Sequence, residues 1–177
     1  MTRTVVAIDL GASSGRVLIG KLDGGGPSSS PTISVEECSR FPNGPVQVPL
    51  YDATGEQKQD LHWDILSLWT GIRRGLEEAA RRGPVDAIGI DTWAVDYGLL
   101  DQDGRLIGNP ASYRSERTVP AVADAHALIP QEELYRYNGL QHQPFNTIFQ
   151  LLADRVVASL SLLNTTRRKI GAVALYR

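Results

Sequence analysis

The sequence predicts an α/β domain: a mixed sheet whose first three strands form an antiparallel meander, with parallel additions and flanking helices. Three observations carry this. Two short apolar runs, residues 5–8 and 17–19, flank a tip of small and hydroxylated residues and read as a β-hairpin. From Ile65 onward apolar residues recur at three- and four-residue spacing, the period of a helix. After that helix, residues 85–93 (VDAIGIDTW) form a short apolar run that reads as a buried strand parallel to the first.

The hairpin tip is Gly11-Ala12-Ser13-Ser14-Gly15, followed by Arg16. Gly11 and Gly15 permit positive φ and close approach of another group, so successive backbone N–H groups can turn inward around an anion. Ser13 and Ser14 add hydroxyl donors, and Arg16 adds a planar fork suited to phosphate. Asp9 ends the first strand beside this tip, where a carboxylate would repel phosphate unless a divalent cation lay between them. That combination points to a magnesium nucleotide. The tip has no Gly-Lys-Ser/Thr, and the residues after it alternate as a strand instead of opening a helix, which excludes a Walker loop and a dinucleotide fingerprint. Taken by itself it is also an ordinary glycine-containing hairpin.

Residues 24–31 (GGGPSSSP) read as a flexible linker, and residues 32–41, with Ile33, Val35 and Cys38, as the third strand. Residues 42–60 read as a long polar loop bordering a binding site. Asp64 is the predicted N-cap of a helix whose apolar face is Ile65, Leu68, Trp69, Ile72 and Leu76, with Glu77 and Glu78 each four residues before an arginine, Arg81 and Arg82. Gly83-Pro84 ends it. Trp63 and Trp69 are assigned to core packing. The parallel strand brings Asp91 to the same sheet edge as Asp9, where ligands gather beyond the carboxyl ends of strands. Asp96 can face the same cleft only if the chain bends near Ala94, and a capping or turn role is the alternative for Asp91 and Asp96. Residues 99–100 and 106–107 flank an Asp-Gly hairpin tip. Helices are predicted at 119–128, 131–137 and from about 147, the last with Asn146 as N-cap. His62, His126 and His142 lack metal-binding spacing, and none is assigned as a ligand.

Composition describes a soluble globular chain long enough for a proper core, 42% hydrophobic and 21% charged. A net charge of −2 gives no electrostatic reason for nucleic acid or an anionic membrane as partner. There is no leader pattern and no run of about 18 apolar residues. The single cysteine, Cys38, fits a reducing cytosol, so the expected location is cytoplasmic.

The segment from Asp9 to Arg16, DLGASSGR, resembles the first phosphate loop of the FGGY carbohydrate kinases, members of the actin-like ATPase superfamily with its ribonuclease-H-like fold. Four further segments are similar to that family in the same order and spacing: residues 41–44 (FPNG), 91–101 (DTWAVDYGLLD), 113–118 (YRSERT, against Tyr-Arg-Asp-x-Arg-Thr) and 137–147 (YNGLQHQPFNT). The resemblance covers residues 4 to about 154. It implies that residues 1–154 are the N-terminal actin-like domain of such a kinase, while 155–177 carry no family pattern. It further implies ATP and Mg²⁺, with Asp9 holding the metal through water and Gly11, Ala12, Ser13, Ser14, Gly15 and Arg16 cradling the phosphates. The implied partner is a small sugar, a ketose such as rhamnulose, phosphorylated at its terminal hydroxyl. Sugar contact would fall to Asp91, Ala94, Asp96, Arg114, Gln141 and Asn146. Ala94 stands where the family has glycine, and its methyl intrudes where close backbone approach is otherwise allowed. Arg114 and Arg117 bind sugar hydroxyls or pair with nearby carboxylates. The family's catalytic base lies in a second domain, in an Ala-Ser-His-Asp-Thr type segment that these 177 residues do not contain. The chain by itself is therefore expected not to turn over sugar, to bind ATP weakly and to self-associate. The alternative is a non-catalytic nucleotide- or sugar-binding module that acts as a regulator or partner subunit.

Overall fold

β1 (Thr2–Leu10) and β2 (Ser14–Asp23) form the expected antiparallel hairpin, with Val6 opposite Ile19 and Ile8 opposite Val17. β3 (Thr32–Pro42) completes the meander on the far side of β2. The computed structural model describes residues 2–26, 29–51, 55–161 and 171–174 of the chain, which divides into two compact units. The first comprises Met1–Gly44 and Asp64–Ala94, the second Pro45–Trp63 and Val95–Tyr176.

In the first unit, α1 (Ile65–Arg81) starts where the sequence places it: the Asp64 side chain accepts the Ser67 N–H at 3.0 Å, satisfying a donor that the first turn would otherwise leave open. Its buried face is Leu68, Gly71, Ile72, Gly75 and Ala79, and it packs on β2 and β3, reaching only the margin of β1. Trp69 does not join that face; it is 58% exposed, because it lies one position off the stripe centred on Leu68 and Ile72. Two helix glycines are explained by contact. A Cβ on Gly71 would come within 2.5 Å of the Phe41 ring, and one on Gly75 within 2.6 Å of Val17 Cβ. The same Phe41 ring also lies over Gly15, its cross-strand partner.

β6 (Ala87–Thr92) runs parallel to β1, with Asp91 in register with Asp9, giving the sheet order β3-β2-β1-β6. It was expected to be buried. Instead it is an edge strand with Ile88 60% and Ile90 65% exposed, since no described strand pairs with its outer side and α1 does not extend over it.

The second unit holds a further correction. Within residues 42–60, read from sequence as a loop, β4 (Pro45–Tyr51) pairs with β5 (Gln57–Trp63) as a two-stranded ladder. Its alternation of Val46, Val48 and Leu50 with Pro and Gln is too weakly apolar to announce a strand. β7 (Tyr97–Leu100) pairs with β8 (Gly171–Ala174). The Asp-Gly turn after β7 forms as expected, with Gly104 at φ 77°, but its second arm reaches only an isolated bridge from Leu100 to Leu106. α2 (Thr118–Leu128), α3 (Gln131–Asn138) and α4 (Thr147–Ser161) occupy the predicted helical stretches, and α2 packs on α4 through Ala121, Ala125, Phe149 and Ala153. His126 and His142, isolated in sequence, meet here at 3.3 Å beside the Phe149 ring. No described helix is long and apolar enough to cross a membrane.

Candidate functional site

The hairpin tip is built by hydrogen bonds that turn its carbonyl groups into the fold. Gly11 N–H donates to Ser14 O at 3.0 Å, closing the turn. Asn43, largely buried, donates its side-chain amide to Gly11 O at 2.6 Å and its backbone N–H to Ser13 O at 3.1 Å. Three carbonyl oxygens that would repel an anion are thereby engaged. Asn43 is the residue that sequence reasoning did not single out, although it stands in the 41–44 segment of the family resemblance. The glycines do not act through positive φ: neither Gly11 nor Gly15 has it. Gly15 is required because the Phe41 ring occupies the space of a side chain, and a Cβ at Gly11 would crowd Ser14 O at 3.1 Å.

Arg16 Nε donates to Asp9 Oδ2 at 3.0 Å and its Nη2 to the same oxygen, with both side chains partly open to solvent. The expected phosphate ligand and the expected metal ligand thus hold each other. Asp9 points away from the core, as its buried neighbours Ile8 and Leu10 require of an alternating strand, and Asp91 is its lateral neighbour across the parallel pair. Thus the structure brings Asp9, Asp91, Arg16 and the tip together at one sheet edge. Ala94 is exposed at the end of this unit.

Asp96, in the second unit, does not face outward. It is 2% exposed; Oδ2 accepts Trp63 Nε1–H at 2.6 Å and Tyr113 N–H at 3.2 Å, while Oδ1 accepts Gln150 Nε2–H at 2.9 Å. The sequence assigns Asp96 to the sugar; in this structure its carboxylate is turned inward, and the turn falls at the bend expected near Ala94. Val95 has φ 72°, a rare state for a β-branched residue, and swings Asp96 inward. The bend is held by Thr147 Oγ1 and Gln150 Nε2, which donate to Val95 O at 2.8 and 3.2 Å. Arg117 is an ion-pair residue, bonded to Asp154, which also accepts from Tyr97. Burial, reinforced by that carboxylate, pushes the Tyr97 phenol above its ordinary range. Arg114 is exposed, its guanidinium 5.5 Å from the Tyr113 ring centroid. Gln141 is exposed, and its carbonyl accepts the Asn146 side-chain amide at 2.9 Å.

A cavity of about 650 Å³ in this unit is lined by Asp60, His62, Tyr97, Arg117, Asp124 and Asp154 over apolar walls; of the residues singled out from sequence for sugar contact only Arg117 lines it. His62 donates from Nδ1 to Asn109 O at 2.9 Å, leaving Nε2 3.4 Å from Asp60 Oδ2. Its hydrogen bond with Asp60 raises the His62 pKa, against burial. Burial pushes the Asp60 carboxyl up, but hydrogen bonds from His62, Ser115 and the Leu61 N–H outweigh it and the net shift is down. The two shifts define a pH window. The His62 contribution is complete below the unfolded histidine value and fades as pH rises through the raised folded one, whereas the Asp60 contribution is lost as pH falls through its lowered value. Denaturant midpoints should therefore fall across roughly pH 6 to 8, the range in which histidine titrates. In His62→Gln that slope should flatten; an unchanged slope would show that the pair is not coupled to folding.

No family model matches the chain. It is 43% identical over 152 residues to a rhamnulokinase of Klebsiella pneumoniae subsp. pneumoniae, a match that takes in 85% of this chain and 28% of the relative's length. Among solved structures it shares its fold with a xylulose kinase from Lactobacillus acidophilus (TM-score 0.65, 13% identity, covering 89% of this chain and 29% of that one). A gluconate kinase from the same organism (TM-score 0.64, 14% identity, 88% and 28%) has the fold as well. Over the stretch it shares with them, the chain is a homologue of rhamnulokinase, and its structural neighbours are sugar kinases of the FGGY type.

Proposed function

We propose that this chain is the nucleotide-phosphate-binding part of an ATP-dependent sugar kinase that transfers a phosphoryl group to the terminal hydroxyl of rhamnulose, and that it works in the cytoplasm. The observation that carries the reading is the hairpin tip: its carbonyls are tied inward by Asn43 and Gly11, and Arg16 and Asp9 stand beside it at the carboxyl edge of the sheet. Gly11, Ala12, Ser13, Ser14, Gly15 and Arg16 are assigned to the phosphates. Asp9 is assigned to Mg²⁺ through water, and the fit is chemical: a hard oxygen donor next to a phosphate cradle, with Asp91 beside it in register. Bound there, the ion would neutralise charge on the phosphates. To reach phosphate, Arg16 must exchange its Asp9 partner for phosphate oxygens, and the partial exposure of both side chains permits this.

For the sugar the residues assigned from sequence are kept: Asp91, Ala94, Asp96, Arg114, Gln141 and Asn146. Asp96 also accepts the Tyr113 N–H and so fixes the backbone that carries Tyr113. The group that takes the proton from the sugar hydroxyl is assigned to sequence outside the shared 28% of the relative, since the carboxylates at this edge are committed to metal and sugar. A general base contributes roughly 10² to 10⁴-fold. The 177-residue chain should therefore show no sugar-dependent ADP release in a coupled assay with rhamnulose and Mg-ATP. Turnover that disappears in Arg16→Ala would place the catalytic machinery inside this chain and overturn that part of the proposal. Nucleotide binding without sugar binding by a longer homologue carrying alanine at position 94 would favour the non-catalytic module.

A further inference from the structure

A row of four charged residues crosses the first unit's sheet at its carboxyl edge. Asp91 is in register with Asp9, Asp9 with Arg16, and Arg16 with Arg40. Register partners project from the same face of a sheet, and here it is the face opposite α1, because Val17, next to Arg16, is the residue that meets Gly75 of that helix. Two guanidinium groups are thus lateral neighbours on β2 and β3, an arrangement that is unfavourable between directly opposed like charges unless something anionic joins them. Each has a local carboxylate, Asp9 for Arg16 and Glu37 for Arg40, and neither pair bridges the two arginines. Arg40 also reaches the tip directly: its Nη1 lies 3.3 Å from Ser14 Oγ. It is about half exposed, and its contacts with Glu37 and Ser14 can both be exchanged.

We propose that Arg40 is a second phosphate-contacting arginine, which closes on the nucleotide's phosphate chain from the β3 side while Arg16 holds it from β2. This rests on the reading of the tip as a phosphate loop. A row with its negative charges on β6 and β1 and its positive charges on β2 and β3 suits a ligand that carries a cation at one end and phosphate oxygens at the other. It also orients that ligand, because the reverse placement sets phosphate against two carboxylates. Glu37 competes with the phosphate for Arg40 and so tunes affinity.

The test is titration of the purified 177-residue protein with Mg-ATP and with inorganic tripolyphosphate, the latter to isolate the phosphate contribution from that of base and ribose. Arg16→Ala and Arg40→Ala should each weaken binding about tenfold or more, in line with the loss of one charge-assisted contact. Arg40→Lys should recover part of the loss. Glu37→Gln should tighten binding several-fold, a gain that a damaged fold cannot produce. If Arg16→Ala weakens binding while Arg40→Ala and Glu37→Gln match the wild type, Arg40 is a surface ion-pair residue and the inference fails with the loop reading intact. If the wild type binds neither probe, the loop reading falls and the inference with it.

Discussion

Asp96→Ala should destabilise the protein by about 3 kcal/mol, since it takes the acceptor from three donors, and one buried donor left unpaired already costs roughly 1 to 3 kcal/mol. The loss is concentrated at Trp63. The indole is fully buried, at 0% exposure, and Asp96 accepts its N–H at 2.6 Å. Gln150 suffers less, since its amide also donates to Val95 O at 3.2 Å and Phe145 O at 3.1 Å. Tyr113 N–H loses an acceptor as well. Asp96→Asn keeps the shape, yet turns an amide N–H₂ toward groups that are themselves donors, so it should recover only part of the loss. Trp63→Phe, which removes the donor and keeps a ring, should cost less than Asp96→Ala. Chemical denaturation followed by tryptophan fluorescence measures all three. A loss under about 1 kcal/mol for Asp96→Ala would show that the network is not what holds the Val95 bend.

Gly75→Ala should destabilise by about 2 kcal/mol, against the expectation from helix propensity. In an exposed helix interior the change would gain about 1 kcal/mol. Here the new methyl meets Val17, which is fully buried on a central strand and has nowhere to move. Overpacking of this kind costs roughly 1 to 3 kcal/mol or more, and the backbone of β2 cannot shift without disturbing the hairpin and its tip. The compensating pair, Gly75→Ala with Val17→Ala, should be more stable than the sum of its single changes, a non-additivity expected of side chains in contact. Equal thermal midpoints for Gly75→Ala and wild type would mean that helix and sheet can separate at this point.

What could be read from the sequence was local or strongly periodic. The hairpin and the parallel strand announced themselves by short apolar runs, and their register put Asp9 beside Asp91 as expected. Asp64 was legible as a cap because its chemistry is contained within one turn. Trp63 and Trp69 had the same signal and different fates, since only packing decides which side of a helix boundary a ring falls on. The β4–β5 ladder was missed because its prolines and glutamines mask the alternation. The inward turn of Asp96 depends on partners at sequence separations of 33 and 54, and no local pattern reports those. Asn43 was in view as part of a motif, but its role required knowing that β3 ends against the tip.

Phe41 lies over Gly15 of β2 and against Gly71 of α1, filling the volume that either glycine would need for a side chain. This makes three positions far apart in sequence into one unit of inheritance. A mutation at either glycine is obstructed for as long as the ring is present, and trimming the ring first opens a void between strand and helix. No order of single steps leads cheaply from one packed solution to another. Drift at these sites should be slow and correlated, and an allele that has lost Phe41 should show relaxed constraint at both glycines together.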